Sequence, residues 1–397
     1  MIKEENENFV TIHKILNISF NQDCSCFTIG TENGFLIFDT NNNNNNYHER
    51  KMDGGIKQVE MLGRTNLLGL IGGGENPKFN PNKLIIWDAC QDKVVCEIKL
   101  FSNLKNTKLL KNKIFAISER HIYVFDLKTF ENIEIIKTGE NPRGLIAING
   151  DTSRTIIAYP GINEKGSNKG HVTVNYYDNK TTKTILAQDN PVSFISLNYE
   201  GTLLATSNEK GTIIKIHNCA NGDLLSTFKR GTDTIEINYI CFDRFSNFLA
   251  VSSDKGNINI WTMARVLDKI KNGQNNSKIN DNDKINEKKN KNPNEIVIVE
   301  EFEDDDEDKN ELEGDNNIIQ NLPKNKTGLF SQNEKSFAKI KIDSNKCICT
   351  FQKNNIIIII DYDGNFYQYQ LDTKNGGNCK IITKYNLTDI KNKTIIK

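Results

Sequence analysis

Three stretches of the chain are near copies of one another, and that repetition limits the fold more than any other feature. Residues 20–39 read FNQDCSCFTIGTENGFLIFD, 197–218 read LNYEGTLLATSNEKGTIIKIHN, and 242–261 read FDRFSNFLAVSSDKGNINIW. Each has a turn, an apolar strand, a small polar step, a glycine turn and an alternating strand. Weaker copies of the last strand are KLIIWD (83–88), HIYVFD (121–126), HVTVNYY (171–177) and GNFYQYQL (364–371). The seven copies carry an aromatic or histidine landmark at Phe38, Trp87, Phe125, Tyr176, His217, Trp261 and Tyr369. The first six recur at roughly 40–50 residues, the period of a four-stranded propeller blade. The pattern predicts an all-β, seven-bladed β-propeller, whose closure into a ring protects sheet edges.

The last gap, from Trp261 to Tyr369, is too long for one blade, and low-complexity sequence fills it. We divide the chain into blades one to part of six (9–264), an Asn/acid-rich insertion (265–335), and the rest of blade six with blade seven (336–390). The insertion holds the acidic block Glu300–Glu313. Such composition buries too little apolar area to offset its ordering entropy, so the insertion is expected to be disordered. It should follow the third strand of blade six, with Phe337–Ile342 resuming the sheet. A shorter run, Asn41–Asn46, is expected between blades one and two as an expanded surface loop.

Among 397 residues, Lys+Arg and Asp+Glu each total 51. Net charge is zero, which disfavours a polybasic grip on nucleic acid or membrane; anion binding has to come from local pockets. The nine cysteines show no C-x-x-C or His spacing. Cys24/Cys26 and Cys347/Cys349 read as pairs on one face of a strand, as small core residues and not metal ligands. Met1–Asn8 is polar and no run reaches membrane-spanning length, so a soluble, cytoplasmic, reducing-compartment protein is expected. Gly72-Gly73-Gly74 lacks nucleotide-loop spacing, the five histidines are isolated, and neither G-x-S-x-G nor H-E-x-x-H occurs. No enzyme, cofactor or metal is expected.

The run Phe228-Lys229-Arg230-Gly231 sits at an apparent strand end. Neighbours on an extended chain point to opposite sides, so Lys229 and Arg230 should put one cation into each of two neighbouring pockets. A solvated charged turn is the plainer reading of the pair alone.

The segment FKRGTDTIEINYICFDRFSNFLAVSSDKGNINIW resembles the signature of the PROPPINs, WD40-like β-propellers that bind polyphosphoinositides. Their hallmark is Phe/Leu-Arg-Arg-Gly. The likeness extends to Phe20-Asn21-Gln22-Asp23, to the loop Gly72–Lys83, to Asn141-Pro142-Arg143-Gly144-Leu145, and to Ala158-Tyr159-Pro160-Gly161. It covers nearly all of the chain outside the two inserts. The resemblance implies binding of phosphatidylinositol 3-phosphate and its 3,5-bisphosphate. It also implies recruitment of autophagy machinery to autophagosome-precursor, endosomal or vacuolar-type membranes, by a peripheral monomer.

It further implies two headgroup pockets. The first would take Lys229 with Thr206, Thr212, Gln188 and Asn208. It departs from the family in three places: Lys229 replaces the first Arg, Gln188 a His and Asn208 a Ser, so weaker binding is expected. The second would take Arg230 with Thr232, Thr234, Ser252, Ser253 and Lys255, although Ser252–Gly256 also reads as an ordinary hairpin turn. Within the insertion, Leu329-Phe330 is the candidate for membrane insertion. Asn21 and Asp23 match positions that dock a lipid-transfer partner, or simply seed a turn. The rival reading is a propeller that scaffolds proteins and carries a degenerate lipid site.

Overall fold

Seven antiparallel sheets make up the computed structural model, which describes residues 14–41, 47–163, 165–167, 169–271 and 334–389. Each sheet is one blade of a seven-bladed propeller, and each takes its four main strands in sequence order. The landmark residues all fall on third strands. Phe38 lies in Gly34–Asp39, Trp87 in Lys83–Asp88, Phe125 in His121–Asp126 and Tyr176 in His171–Tyr176; His217 lies in Ile213–Asn218, Trp261 in Asn257–Thr262 and Tyr369 in Asn365–Gln370.

Second strands such as Cys26–Thr31, Leu203–Asn208 and Phe248–Ser253 are buried at every residue. A blade in a ring is covered on both faces, so even the polar residues of these strands lie inside. The core is therefore a ring of contacts between neighbouring blades. Between blades five and six, Ala205, Ile214 and Phe228 pack on Leu249, Val251 and Trp261. Between six and seven, Ala250, Ile258 and Ile340 pack on Cys347, Cys349 and Ile357. Blades seven and one close the ring through Ile348, Ile358 and Phe366 against Ile18, Phe27 and Ile29. Among the described residues neither blade lends the other a strand, so the joint is made by side-chain packing.

One turn device recurs. Asn21 Oδ1 accepts from Cys26 N at 2.9 Å, Asn198 Oδ1 from Leu203 N at 2.9 Å, and Asp243 Oδ1 from Phe248 N at 2.6 Å. Each spends a side-chain oxygen on fixing the hairpin that opens its blade.

Two expectations are corrected. The run Asn41–Asn46 precedes Tyr47–Lys51, which is the outer strand of blade one, so the run lies within blade one and not after it. That strand, YHERK, has no apolar alternation to announce it. Cys24 stands in the turn with φ of 56°, outside the strand that starts at Cys26.

The insertion leaves and returns at the outer edge between blades five and six. After Thr262 a helix over 264–271 packs Val266 into the blade five–six contact, and Lys269 Nζ donates to the Leu225 carbonyl. Residues 272–333 lie outside the described set. The chain re-enters at Glu334, whose N–H bonds Thr227 O at 3.2 Å and whose carbonyl accepts from Lys229 N and from Trp261 Nε1, each at 3.1 Å. The outer strand of blade six follows as Ala338–Lys341. Against it lies a short parallel strand, Gly377–Asn378, reaching over from blade seven.

Candidate functional site

The hallmark is fixed by its aromatic residue. Phe228 is fully buried and stacks on Trp261, with centroids 5.5 Å apart. Because Phe228 faces blade six, alternation turns Lys229 toward blade four, at the exposed end of the strand Leu224–Lys229. Arg230 leaves the strand with its N–H on Thr212 O at 2.9 Å. Its Nε donates to Gly211 O at 2.9 Å and an Nη to the Asp233 carbonyl. Gly211 has φ of +61°, and a Cβ there would stand 2.0 Å from Ile235 O, so only glycine lets the backbone approach this closely. Burial lowers the Arg230 pKa, yet a guanidinium stays charged at neutral pH.

On the blade-four side, Thr206 pairs across the sheet with Lys215, and Lys215 with Thr227. Gln188 Nε2 donates to the Thr206 carbonyl at 2.9 Å and to its hydroxyl at 3.0 Å, while Gln188 Oε1 is buried without a hydrogen-bond partner. Gln188 and Thr206 are thus closed on each other and fully buried. Asn208 Oδ1 accepts from Lys210 N at 3.1 Å and Gly211 N at 3.2 Å, shaping the turn that holds Gly211. Thr212 contributes its carbonyl to Arg230 N. Lys215 is a cation the sequence reading missed. It stands mid-strand in IIKIHN, and its Nζ lies 3.0 Å from Asp189 Oδ2.

On the blade-six side, Arg230 borders a groove of about 290 Å³ together with Asn257, Asn259, Lys339, Lys341 and Asn378, and among the described residues no carboxylate lines it. Lys339 and Lys341 went unseen in the sequence, because the strand AKIK is short and follows directly on the insertion. Ser253 is buried, its Oγ on Asn257 O at 3.3 Å. Ser252 faces the other way, its Oγ on Cys347 O of blade seven at 2.9 Å. Alternation, which separates Lys229 from Arg230, separates these two serines as well. Lys255 forms the apex of the hairpin turn with φ of 67°, and its carbonyl accepts from Lys341 Nζ. Thr232 and Thr234 are exposed on the loop after Gly231.

Asn21 is buried, and its side chain serves the turn and Gly63 O of blade two. Asp23 is exposed; burial alone would raise its carboxyl, but hydrogen bonds from Ser25 leave it lowered. Leu329 and Phe330 lie outside the described residues. A larger cleft of about 740 Å³ sits between blades one and two, far from the hallmark. There Lys14 lies 3.3 Å from Glu75 and 3.7 Å from Glu32, so the mixed signs offer no site for a lone anion.

A family model described as PROPPIN matches residues 15–278, more than half of the chain. The chain belongs to the PROPPIN family. Autophagy-related protein 18 of Yarrowia lipolytica is 27% identical over 395 residues, covering 94% of this PROPPIN and 96% of that relative. Kluyveromyces lactis Hsv2 superposes with a TM-score of 0.65 at 19% identity, over 94% of this chain and 99% of Hsv2. KlAtg21, solved in complex with the coiled coil of AgAtg16, gives 0.65 at 18% identity, over 96% and 99%.

Proposed function

We propose that this PROPPIN binds phosphatidylinositol 3-phosphate, and its 3,5-bisphosphate, at two pockets on the propeller rim and recruits autophagy or membrane-trafficking proteins there. The divergence of Lys229 and Arg230 onto opposite sides of one strand end carries the reading. A phosphomonoester presents several strong acceptors, and each pocket answers with cations and hydrogen-bond donors. Two sites on one rigid body make the second engagement intramolecular, raising avidity by about 10²–10⁴ over a single site. A chain of zero net charge can then choose membranes by lipid and not by bulk charge.

In this reading the protein works as a peripheral cytoplasmic monomer without catalysis or cofactor. Among the described residues no helix is long and apolar enough to cross a membrane. Leu329-Phe330 would serve as an apolar anchor. The relative's autophagy name and the KlAtg21 complex support a protein partner of the same pathway. One observation favours the scaffold reading: in the first pocket Gln188 Nε2 is already taken up by the buried Thr206. Flotation with vesicles that contain or lack the 3-phosphorylated lipid tests the proposal. Co-flotation only with the lipid supports it, and equal recovery with both overturns it.

A further inference from the structure

Three thiols from three different blades meet near the propeller axis. The first strand of each blade is its innermost, and those of blades six and seven, Ile237–Phe242 and Cys347–Gln352, pack side by side. Cys241 on one and Cys349 on the other bring their sulfurs to 3.9 Å. Cys24, in the first turn of blade one, meets Thr350 beside them. Tyr239 lies two residues before Cys241 on the same face of its strand. Phe20 and Phe194 stand edge-on to its ring, with centroids at 6.3 and 5.5 Å. Its phenol is pushed well above the usual value, by burial first and then by the nearness of Cys24, Cys241 and Cys349.

Cys24 and Cys241 are partly exposed, and Cys349 is buried. Among the described residues no group of three or more His, Cys, Asp or Glu side chains is arranged to hold a metal ion. Two thiols this close have another chemistry open to them. A disulfide needs its sulfurs at about 2.05 Å. Closing the gap asks each sulfur to move by about 1 Å, within reach of rotation about its Cα–Cβ bond.

We propose that Cys241 and Cys349 are an oxidisable pair, which a small peroxide converts to a disulfide tying blade six to blade seven. The Cys241 thiolate attacks a peroxide oxygen. An S–O bond forms, the O–O bond breaks, and the departing hydroxide takes up the thiol proton as water. The Cys349 sulfur then attacks the sulfenic acid on Cys241. The S–S bond forms, the S–O bond breaks, and a second water leaves with the Cys349 proton. Two thiols give up two electrons and the peroxide takes them.

Cys241 reacts first because it is the partly exposed member of the pair. A hydrogen bond with Cys349, and then burial, hold its thiol well above the usual value. Attack is therefore slow at neutral pH and quickens with alkalinity. In a reducing compartment, expected from the sequence, the bridge is a response to oxidant and not a permanent staple. It joins residues 108 positions apart, so the loop it closes holds the rest of blade six and the insertion. Such a loop constrains the unfolded chain far more than the folded one.

The intact chain is treated with hydrogen peroxide at pH 7 and at pH 8.5. Remaining thiols are blocked with N-ethylmaleimide, and peptides are mapped by mass spectrometry without reductant. A Cys241–Cys349 linked peptide from monomeric protein is expected, forming about tenfold faster per pH unit and lost on treatment with dithiothreitol. The bridged protein should melt about 5 °C higher than the reduced one. Cys349→Ser should remove both the linked peptide and the shift, and Cys349→Ala takes its place if the serine variant melts early. Cys90→Ser, which removes an exposed thiol, should change neither. Peroxide that oxidises Cys90 while leaving Cys241 reduced at both pH values overturns the proposal. Sulfinic acid on Cys241 without a bridge overturns it too, as does a bridge that runs through Cys24.

Discussion

The two sides of the hallmark differ in kind, though they start from adjacent residues. On the blade-four side the polar side chains are already engaged nearby: Gln188 Nε2 on buried Thr206, Asn208 on a turn, and half-buried Lys215 on exposed Asp189. On the blade-six side the groove is lined, among the described residues, by three cations and no carboxylate. Alternation along a strand can aim two side chains at two places. What waits there is set by other strands, and here one of those arrives from blade seven.

The comparison breaks most completely if both cations are removed. Lys229→Thr/Arg230→Thr should abolish recruitment to vesicles with the 3-phosphorylated lipid, a loss of about 10²-fold or more as avidity and both headgroup contacts go together. Arg230 also holds Gly211 and the following loop, so the melting temperature of the variant is measured alongside flotation. A folded variant that still floats removes the two-pocket account.

The single substitutions sharpen it. Arg230→Thr should weaken binding about tenfold more than Lys229→Thr, because the open groove supplies more charge-assisted contacts. Vesicle titrations of both variants decide the order, and the reverse order would make the closed side the stronger pocket. Lys229→Arg gives a smaller effect in the opposite direction. A planar fork should tighten binding by a factor of about three, read in the same titrations.

The smallest expected effect concerns the blades beneath the pockets. In blade five, burial and then the charge of Lys215 depress His217 to about 4 from 6.5. The folded state binds fewer protons than the unfolded one between those values, so this group's contribution is lost as pH falls from 6.5 to 4. In blade six, burial raises Asp243 to about 6 from 3.8, against its backbone hydrogen bonds. Here the folded state binds more protons, so stability falls as pH rises through that window. The two slopes oppose each other. Relative to wild type, Asp243→Asn should make stability rise more steeply with pH between 4.5 and 7, and His217→Gln less steeply. Melting temperatures across that range test both signs. Asp243→Asn should also stabilise by about 1–2 kcal/mol at pH 7, because an amide performs the same turn role at Asn21 and Asn198.

Much of the architecture was legible in the sequence because third strands carry an aromatic or histidine near their ends and glycine turns before them. The strands KLIIWD and HIYVFD fall at 83–88 and 121–126, as read. Outer strands were uneven. Ala338–Lys341 falls within Phe337–Ile342, where the sheet was expected to resume, and keeps a strict buried–exposed alternation. YHERK at Tyr47–Lys51 carries no apolar alternation and was not read. The divergence of Lys229 and Arg230 was readable from local geometry. The groove was not, because Lys339, Lys341 and Asn378 come from beyond the insertion and from the next blade. Ser252 and Ser253 look equivalent in sequence, yet one bonds blade seven and the other closes the hairpin of its own blade. Asn21 looks distinctive until its counterparts in blades five and six are seen to do the same work.

The joint between blades seven and one has a consequence for how the chain comes into being. Ile18, Phe27 and Ile29 are among the first core residues made on the ribosome, and Ile348, Ile358 and Phe366 among the last. Until the final blade emerges, the flank of blade one formed by these residues lacks the partners that cover it in the closed ring. Contacts this distant in sequence form slowly, because the intervening chain must be ordered before they are rewarded. The nascent protein is therefore most exposed to mispairing and aggregation late in synthesis, when six blades stand and the circle is still open.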